Sequence, residues 1–90
     1  MSVKINIPSY MKSLTNNMEV AEMNGNTVGE CLNHLIEQFP GVGKRLFSKK
    51  DNLFENIIIS VNGESAYPKQ LAKPVKDGDE LNIIFIIGGG

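Results

Sequence analysis

The stretch Thr27 to Pro40, TVGECLNHLIEQFP, decides the fold. Thr27 followed by Glu30 three positions on is the capping-box pattern, in which each side chain satisfies a backbone N–H at the start of a helix. Val28, Cys31, Leu32, Leu35, Ile36 and Phe39 then recur at helical spacing as one apolar stripe, and Pro40-Gly41 stops the run. The chain therefore has one strong helix with a single face to bury. The surface that covers this face must come from the segments on either side of it.

Upstream, Val3, Ile5 and Ile7 alternate with Lys4 and Asn6, the period of a half-buried strand, and Pro8 ends it. A weaker second strand runs from Met18 to Met23, with Met18 and Val20 alternating with Glu19 before Glu22 breaks the pattern. The turn-rich Leu14-Thr15-Asn16-Asn17 joins the two as a hairpin. Downstream, Val42 to Asn52 reads as a connection with a short helical turn. Asn56 to Val61 is the third strand, with Ile57, Ile59 and Val61 on one face, and Asn62-Gly63 is the dipeptide of a type I′ hairpin turn. A short fourth strand lies near Ser65 to Tyr67, and Pro68 to Pro74 is a connection. Lys76-Asp77-Gly78-Asp79 is a turn that launches the last strand, Glu80 to Ile87. Leu81, Ile83 and Phe85 face the helix; Ile84 and Ile86 take the opposite face.

The order strand, strand, helix, strand, strand, strand predicts an α+β domain with a single helix crossing one sheet. Because the helix separates the first hairpin from the later strands, the final strand can lie beside the first, in the middle of the sheet. The predicted organisation is one domain over residues 1–87 and a glycine tail over residues 88–90.

Composition narrows the function. The chain has 90 residues, 41% hydrophobic and 21% charged, too small a core for a deep enzymatic cleft but ordinary for a folded domain. Nine Lys plus Arg against ten Asp plus Glu give a net charge of −1, so no global field draws a polyanion, and nucleic acid is not expected as a partner. Cys31 is the only cysteine, which excludes a disulfide framework and a four-cysteine iron–sulfur cluster, and with it an electron-transfer ferredoxin. No apolar stretch approaches a membrane span and MSVKINIPSY lacks the apolar core of a signal peptide, so no membrane role and a cytoplasmic location are expected.

The unusual chemistry is at the end, Ile86-Ile87-Gly88-Gly89-Gly90. Glycine has no Cβ, so such a tail enters a channel where any side chain would collide. Extended, three glycines carry the terminal carboxylate roughly 10 Å beyond Ile87. That carboxylate is unreactive until activated, and nothing in the chain could activate it; another protein must supply the ATP site. The plainer alternative is a frayed terminus.

The turn Asp77-Gly78-Asp79 before the last strand, together with Gly89-Gly90 after it, resembles the MoaD/ThiS family of ubiquitin-like β-grasp sulfur carriers. The spacing from Gly78 to the end makes Gly89-Gly90 the family pair and Gly88 the preceding variable position. The resemblance covers nearly the whole chain. VKINIP at the N-terminus, Val61-Asn62-Gly63 and the middle section with Phe54-Glu55-Asn56 look most similar to archaeal-type MoaD proteins and the CysO carriers of cysteine biosynthesis. Where the family often has one or two prolines shortly before Gly-Gly, this chain has Phe85 and Ile86, so that position does not assign a pathway.

The resemblance implies a β-grasp fold, a mixed five-stranded sheet with one main helix on one face, and a carrier rather than an enzyme. It implies that a ubiquitin-activating-type (MoeB/ThiF-like) adenylyltransferase joins the Gly90 carboxylate to AMP, using ATP that the carrier itself does not bind. A persulfide-derived sulfur then leaves a thiocarboxylate. The acceptor would be the large subunit of molybdopterin synthase or a cysteine-synthase-like enzyme. A ubiquitin-like modifier, joined to proteins through Gly90, or a plain binding module are the alternative readings. For docking, Ile58, Ile84 and Ile86 point away from the helix and with Ile87 form an apolar patch beside the tail; their chain neighbours Phe85 and Gly88 complete the partner-binding set.

Other residues have plainer readings. Lys44, Arg45, Lys49 and Lys50 read as a solvated face, and Cys31 on the helix stripe as a buried, inert thiol. His34, with no second imidazole or cysteine nearby, is a poor metal ligand, so no metal site is expected. Tyr10 and Tyr67 are expected to cover core edges near turns.

Overall fold

The computed structural model describes residues 2–49 and 52–86. Its elements in chain order are β1 (Ser2–Asn6), a 3₁₀ helix (Ser9–Thr15), β2 (Val20–Asn24), α1 (Val28–Gln38) and α2 (Pro40–Leu46). There follow β3 (Phe47–Lys49), β4 (Asn52–Leu53), β5 (Ile57–Val61), β6 (Glu64–Ser65), a 3₁₀ turn (Gln70–Ala72) and β7 (Glu80–Phe85). The main sheet has five strands in the order β2-β1-β7-β5-β6. β7 is central, parallel to β1 and antiparallel to β5, the placement that the strand order predicts.

One face of this sheet carries the core. Val3, Ile5, Ile57, Ile59 and Leu81 are at most 1% exposed and pack with Val28, Cys31, Leu32 and Leu35 of α1. Burying each such side chain is worth about 1.5–3 kcal/mol. The Thr27 hydroxyl accepts the Glu30 N–H at 3.2 Å, as the capping box requires. The Glu30 carboxylate in return accepts the N–H of Asn26, one residue further out than Thr27, at 2.8 Å and fixes the loop ahead of the helix.

Several expectations change. The second strand is in the opposite phase: Ile5 pairs with Ala21 and Val3 with Met23, so Ala21 and Met23 enter the core while Met18 and Val20 are 40% and 44% exposed. The Ile7 N–H bond to the Glu19 carbonyl, 2.8 Å, holds this register, and a slip of one residue would turn every side chain over. The segment after Pro8 is a 3₁₀ helix with Met11 and Thr15 buried, closed by Asn16 and Asn17 at φ 53 and 65.

Pro40 does more than end α1. It occupies the first turn of α2, where a missing N–H costs nothing, and α2 adds the fully buried Val42 and Leu46 to the core. The short helical turn expected after Val42 is present as part of α2, and beyond it β3 and β4 form a separate two-stranded ribbon where the sequence predicts a plain connection. Finally, β6 is limited to Glu64–Ser65, and the buried Gln70 side chain takes over the edge of β5, accepting from the Ile59 N–H and donating to the Ile57 carbonyl at 3.1 Å. One amide side chain here does the pairing of a missing strand residue. Tyr67, expected over a core edge, is 67% exposed.

Candidate functional site

The candidate site is the C-terminal end of β7, a strand that is fixed at both ends. At its start, Gly78 turns with φ +88 and donates its N–H to the Ser2 carbonyl at 2.8 Å, while Asp77 accepts the Ser2 N–H at 2.8 Å. Positive φ at this position is why the turn requires glycine. The Asp79 carboxylate accepts from Asn62 Nδ2 at 3.0 Å and from the Lys76 N–H at 2.9 Å. These bonds, the Asn62 amide first and the Lys76 N–H second, hold its carboxyl below the ordinary carboxylate value. The Asp-Gly-Asp turn and the Asn-Gly hairpin thus lock to each other and set the register of β7 against both β1 and β5.

At its other end β7 is held from two sides. The Ile86 N–H donates to the Asn56 carbonyl at 2.8 Å. The Phe85 ring is half-buried on the core face and lies 4.5 Å, centroid to centroid, from the ring of Tyr10 at an interplanar angle of 33°.

On the sheet face away from the helices, Ile84 pairs across β5 with Ile58 and is 44% exposed, and Ile86 is 53% exposed. The β1–β2 register turns Val20 to this same face, where it is 44% exposed, and Met18, two residues before it, is 40% exposed. The next row inward is polar: Asn6 Nδ2 donates to Glu80 Oε2 at 2.7 Å and Asn82 Oδ1 at 3.0 Å. Ile58, Ile84 and Ile86 are therefore brought together on one face, while Phe85 points to the other. Ile87, Gly88, Gly89 and Gly90 lie outside the described residues. Sequence reasoning missed Met18 and Val20 for this face; the alternation of Ala21 and Met23 with Glu22 and Asn24, read one residue later, carries the signal.

Other candidates are placed plainly. Cys31 is fully buried, and burial first, with the Glu30 charge adding, pushes its thiol up, away from the reactive thiolate. His34 Nδ1 is hydrogen-bonded to the Asn24 carbonyl. No group of three or more potential ligands that could hold a metal is present among the described residues, and no helix among them is long and apolar enough to cross a membrane. A groove of about 410 Å³ between Phe54 and Tyr67 lies on the β5 edge opposite β7.

Residues 5–90 match the family model described as ThiS. The chain belongs to the ThiS family. Members of the ThiS family are small sulfur carriers that act with partner enzymes and are not themselves catalysts. This ThiS-family chain is 28% identical over 93 residues to the sulfur carrier protein CysO of Mycobacterium tuberculosis, with 100% of both chains covered. It is 33% identical over 64 residues to small archaeal modifier protein 1 of Haloferax volcanii, covering 71% of this chain and 70% of that one. Among solved structures, a chain of the Amycolatopsis orientalis BexX/CysO complex superposes with a TM-score of 0.87 at 31% identity, over 98% of this chain and 99% of that one. The ThiS-family fold is the ubiquitin-like β-grasp, and in this chain it includes a second helix and a small two-stranded ribbon.

Proposed function

We propose that this chain carries sulfur as a thiocarboxylate on Gly90. A ubiquitin-activating-type adenylyltransferase transfers AMP from ATP to the Gly90 carboxylate, releasing pyrophosphate and making the carbonyl carbon a good electrophile. The terminal sulfur of a partner's persulfide attacks that carbon, the bond to the phosphate oxygen breaks, and AMP leaves. A thiol then cleaves the S–S bond, leaving the thiocarboxylate on the carrier and a disulfide on the donor. The acceptor enzyme receives the sulfur for a biosynthetic product of the molybdopterin or cysteine type.

The observation that carries this reading is the family match running through Gly90, on a chain whose last strand is central and tied at both ends. Four residues separate Ile86 from the terminal carboxylate, a reach of about 13 Å when extended, enough to cross a partner's entrance while Ile58, Ile84 and Ile86 dock at its rim. Ile87 and Gly88 continue that contact. The apolar row through Ile84 is the docking surface and the polar row through Asn6 and Asn82 its border.

The test is intact mass spectrometry after incubation with ATP, a matching adenylyltransferase and a sulfur donor. A sulfur-for-oxygen exchange at Gly90 is expected, lost on deletion of Gly90 with the fold unchanged. An unchanged mass with every activating enzyme tried would sink the proposal. The similarity to small archaeal modifier protein 1 favours one second reading, in which activated Gly90 is joined to a protein amine; the same reaction run with lysine-containing acceptor protein would then show a conjugate.

A further inference from the structure

We propose that Tyr10 is a positioning residue for the C-terminal chemistry, its ring fixing the direction in which the chain leaves β7. The inference rests on the reading of the Gly90 carboxylate as the reactive group. Phe85 and Ile86 are not prolines, so neither has its φ locked by a ring. Their restraint comes from two contacts: the Tyr10 ring packs against the Phe85 ring at 4.5 Å, tilted by 33°, and the Asn56 carbonyl accepts the Ile86 N–H at 2.8 Å.

Three observations separate Tyr10 from an ordinary core residue. It is 42% exposed, it stands on the 3₁₀ helix rather than in the sheet, and its aromatic partner is the last residue of β7. Phe85 packs against the core, whereas Tyr10 packs against Phe85. Removing the Tyr10 ring therefore frees the strand end and leaves the helix–sheet core in place. A shift at Phe85 moves the base from which the chain leaves β7, and a misplacement of about 1 Å in a reacting group costs up to about a hundredfold in rate.

The experiment compares full-length wild type, Tyr10→Ala and Tyr10→Phe by amide hydrogen exchange and by steady-state kinetics of Gly90 adenylation. Exchange at the Ile86 amide reports local opening of the strand end. In Tyr10→Ala it is expected to speed up about tenfold or more, with the Leu32 and Ile59 amides unchanged. The kcat falls about ten- to a hundredfold at constant KM, and Tyr10→Phe restores both. Unaltered Ile86 exchange, an effect on KM alone, or a lower Tm with unchanged kcat overturns the proposal. If Tyr10→Ala does not fold, Phe85→Leu, which keeps an apolar side chain but removes the ring, is read by the same two measurements. If wild type is not adenylated at all, the Gly90 reading falls with it, whereas Ile86 exchange still decides whether Tyr10 holds the strand end.

Discussion

Asn62 grips Asp79 and the residue after it at once: its Nδ2 donates to Asp79 Oδ1 at 3.0 Å, and its Oδ1 accepts the Glu80 N–H at 2.9 Å. A hairpin turn and the turn before the last strand are thereby welded, although Asn62 and Asp79 are 17 positions apart in sequence. Because Asp79 also takes the Lys76 N–H, its ionised form is the one the fold prefers.

That preference gives stability a pH dependence of known sign. The Asp79 pKa is lower folded than its ordinary value of 3.8, so the carboxylate stabilises the fold above that value and the contribution is lost as pH falls through the lower, folded pKa. Urea unfolding of wild type and Asp79→Asn from pH 7 to pH 2 should show the variant less stable at neutral pH and the gap closing in acid. A gap independent of pH would remove the carboxylate from the account.

Gln70→Ala should be among the costlier single changes outside the apolar core. It leaves the Ile59 N–H and the Ile57 carbonyl, both on a buried strand, without partners, at about 1–3 kcal/mol each. Gln70→Glu keeps the acceptor for Ile59, loses the donor for Ile57 and buries a charge, so it should not rescue. Chemical denaturation midpoints check both.

Two glycine-to-alanine changes should destabilise for different reasons. At Gly25 an added Cβ would lie 2.8 Å from Cys31 Sγ and 2.9 Å from the Cys31 N, an overlap worth about 1–3 kcal/mol. At Gly63 nothing lies within 4 Å, but φ is +87, so the cost is the left-handed strain of about 1–2 kcal/mol. Cys31→Ala should partly relieve Gly25→Ala and do nothing for Gly63→Ala, which thermal melts of the double variants will show.

Ile84→Asp tests the docking row. The side chain is 44% exposed on the face without helices, so stability should change by no more than about 1 kcal/mol. Adenylation by the partner should show a raised KM with kcat retained at saturation. An unchanged KM would take the open face out of docking.

The capped helix, the alternation in β1 and β5, the Asn-Gly turn and the Asp-Gly-Asp turn were all legible, because each is a local preference: a cap, a period or a positive φ that few residue types tolerate. They are enough to place the helix on a sheet with the last strand at its centre. The phase of β2 was not legible in that way. Met18 and Val20 are as apolar as Ala21 and Met23, and only pairing with β1 decides which pair turns inward. Pro40 ends one helix and begins another by the same property, a fixed φ without an N–H, and what favours the second helix is the room beneath it for Val42 and Leu46.

The sequence by itself determined the order of the capped helix and the main-sheet strands around it, since these follow from neighbours in the chain, and it is the sequence that motivates the proposal for Gly90. Tertiary structure alone decided that Met18 and Val20 join Ile84 on the outward face, that Gln70 completes the edge of β5, and that Tyr10 lies on Phe85. Each of these joins groups far apart in sequence. No local propensity encodes such a contact, which arises only when the register of the sheet brings its members within reach.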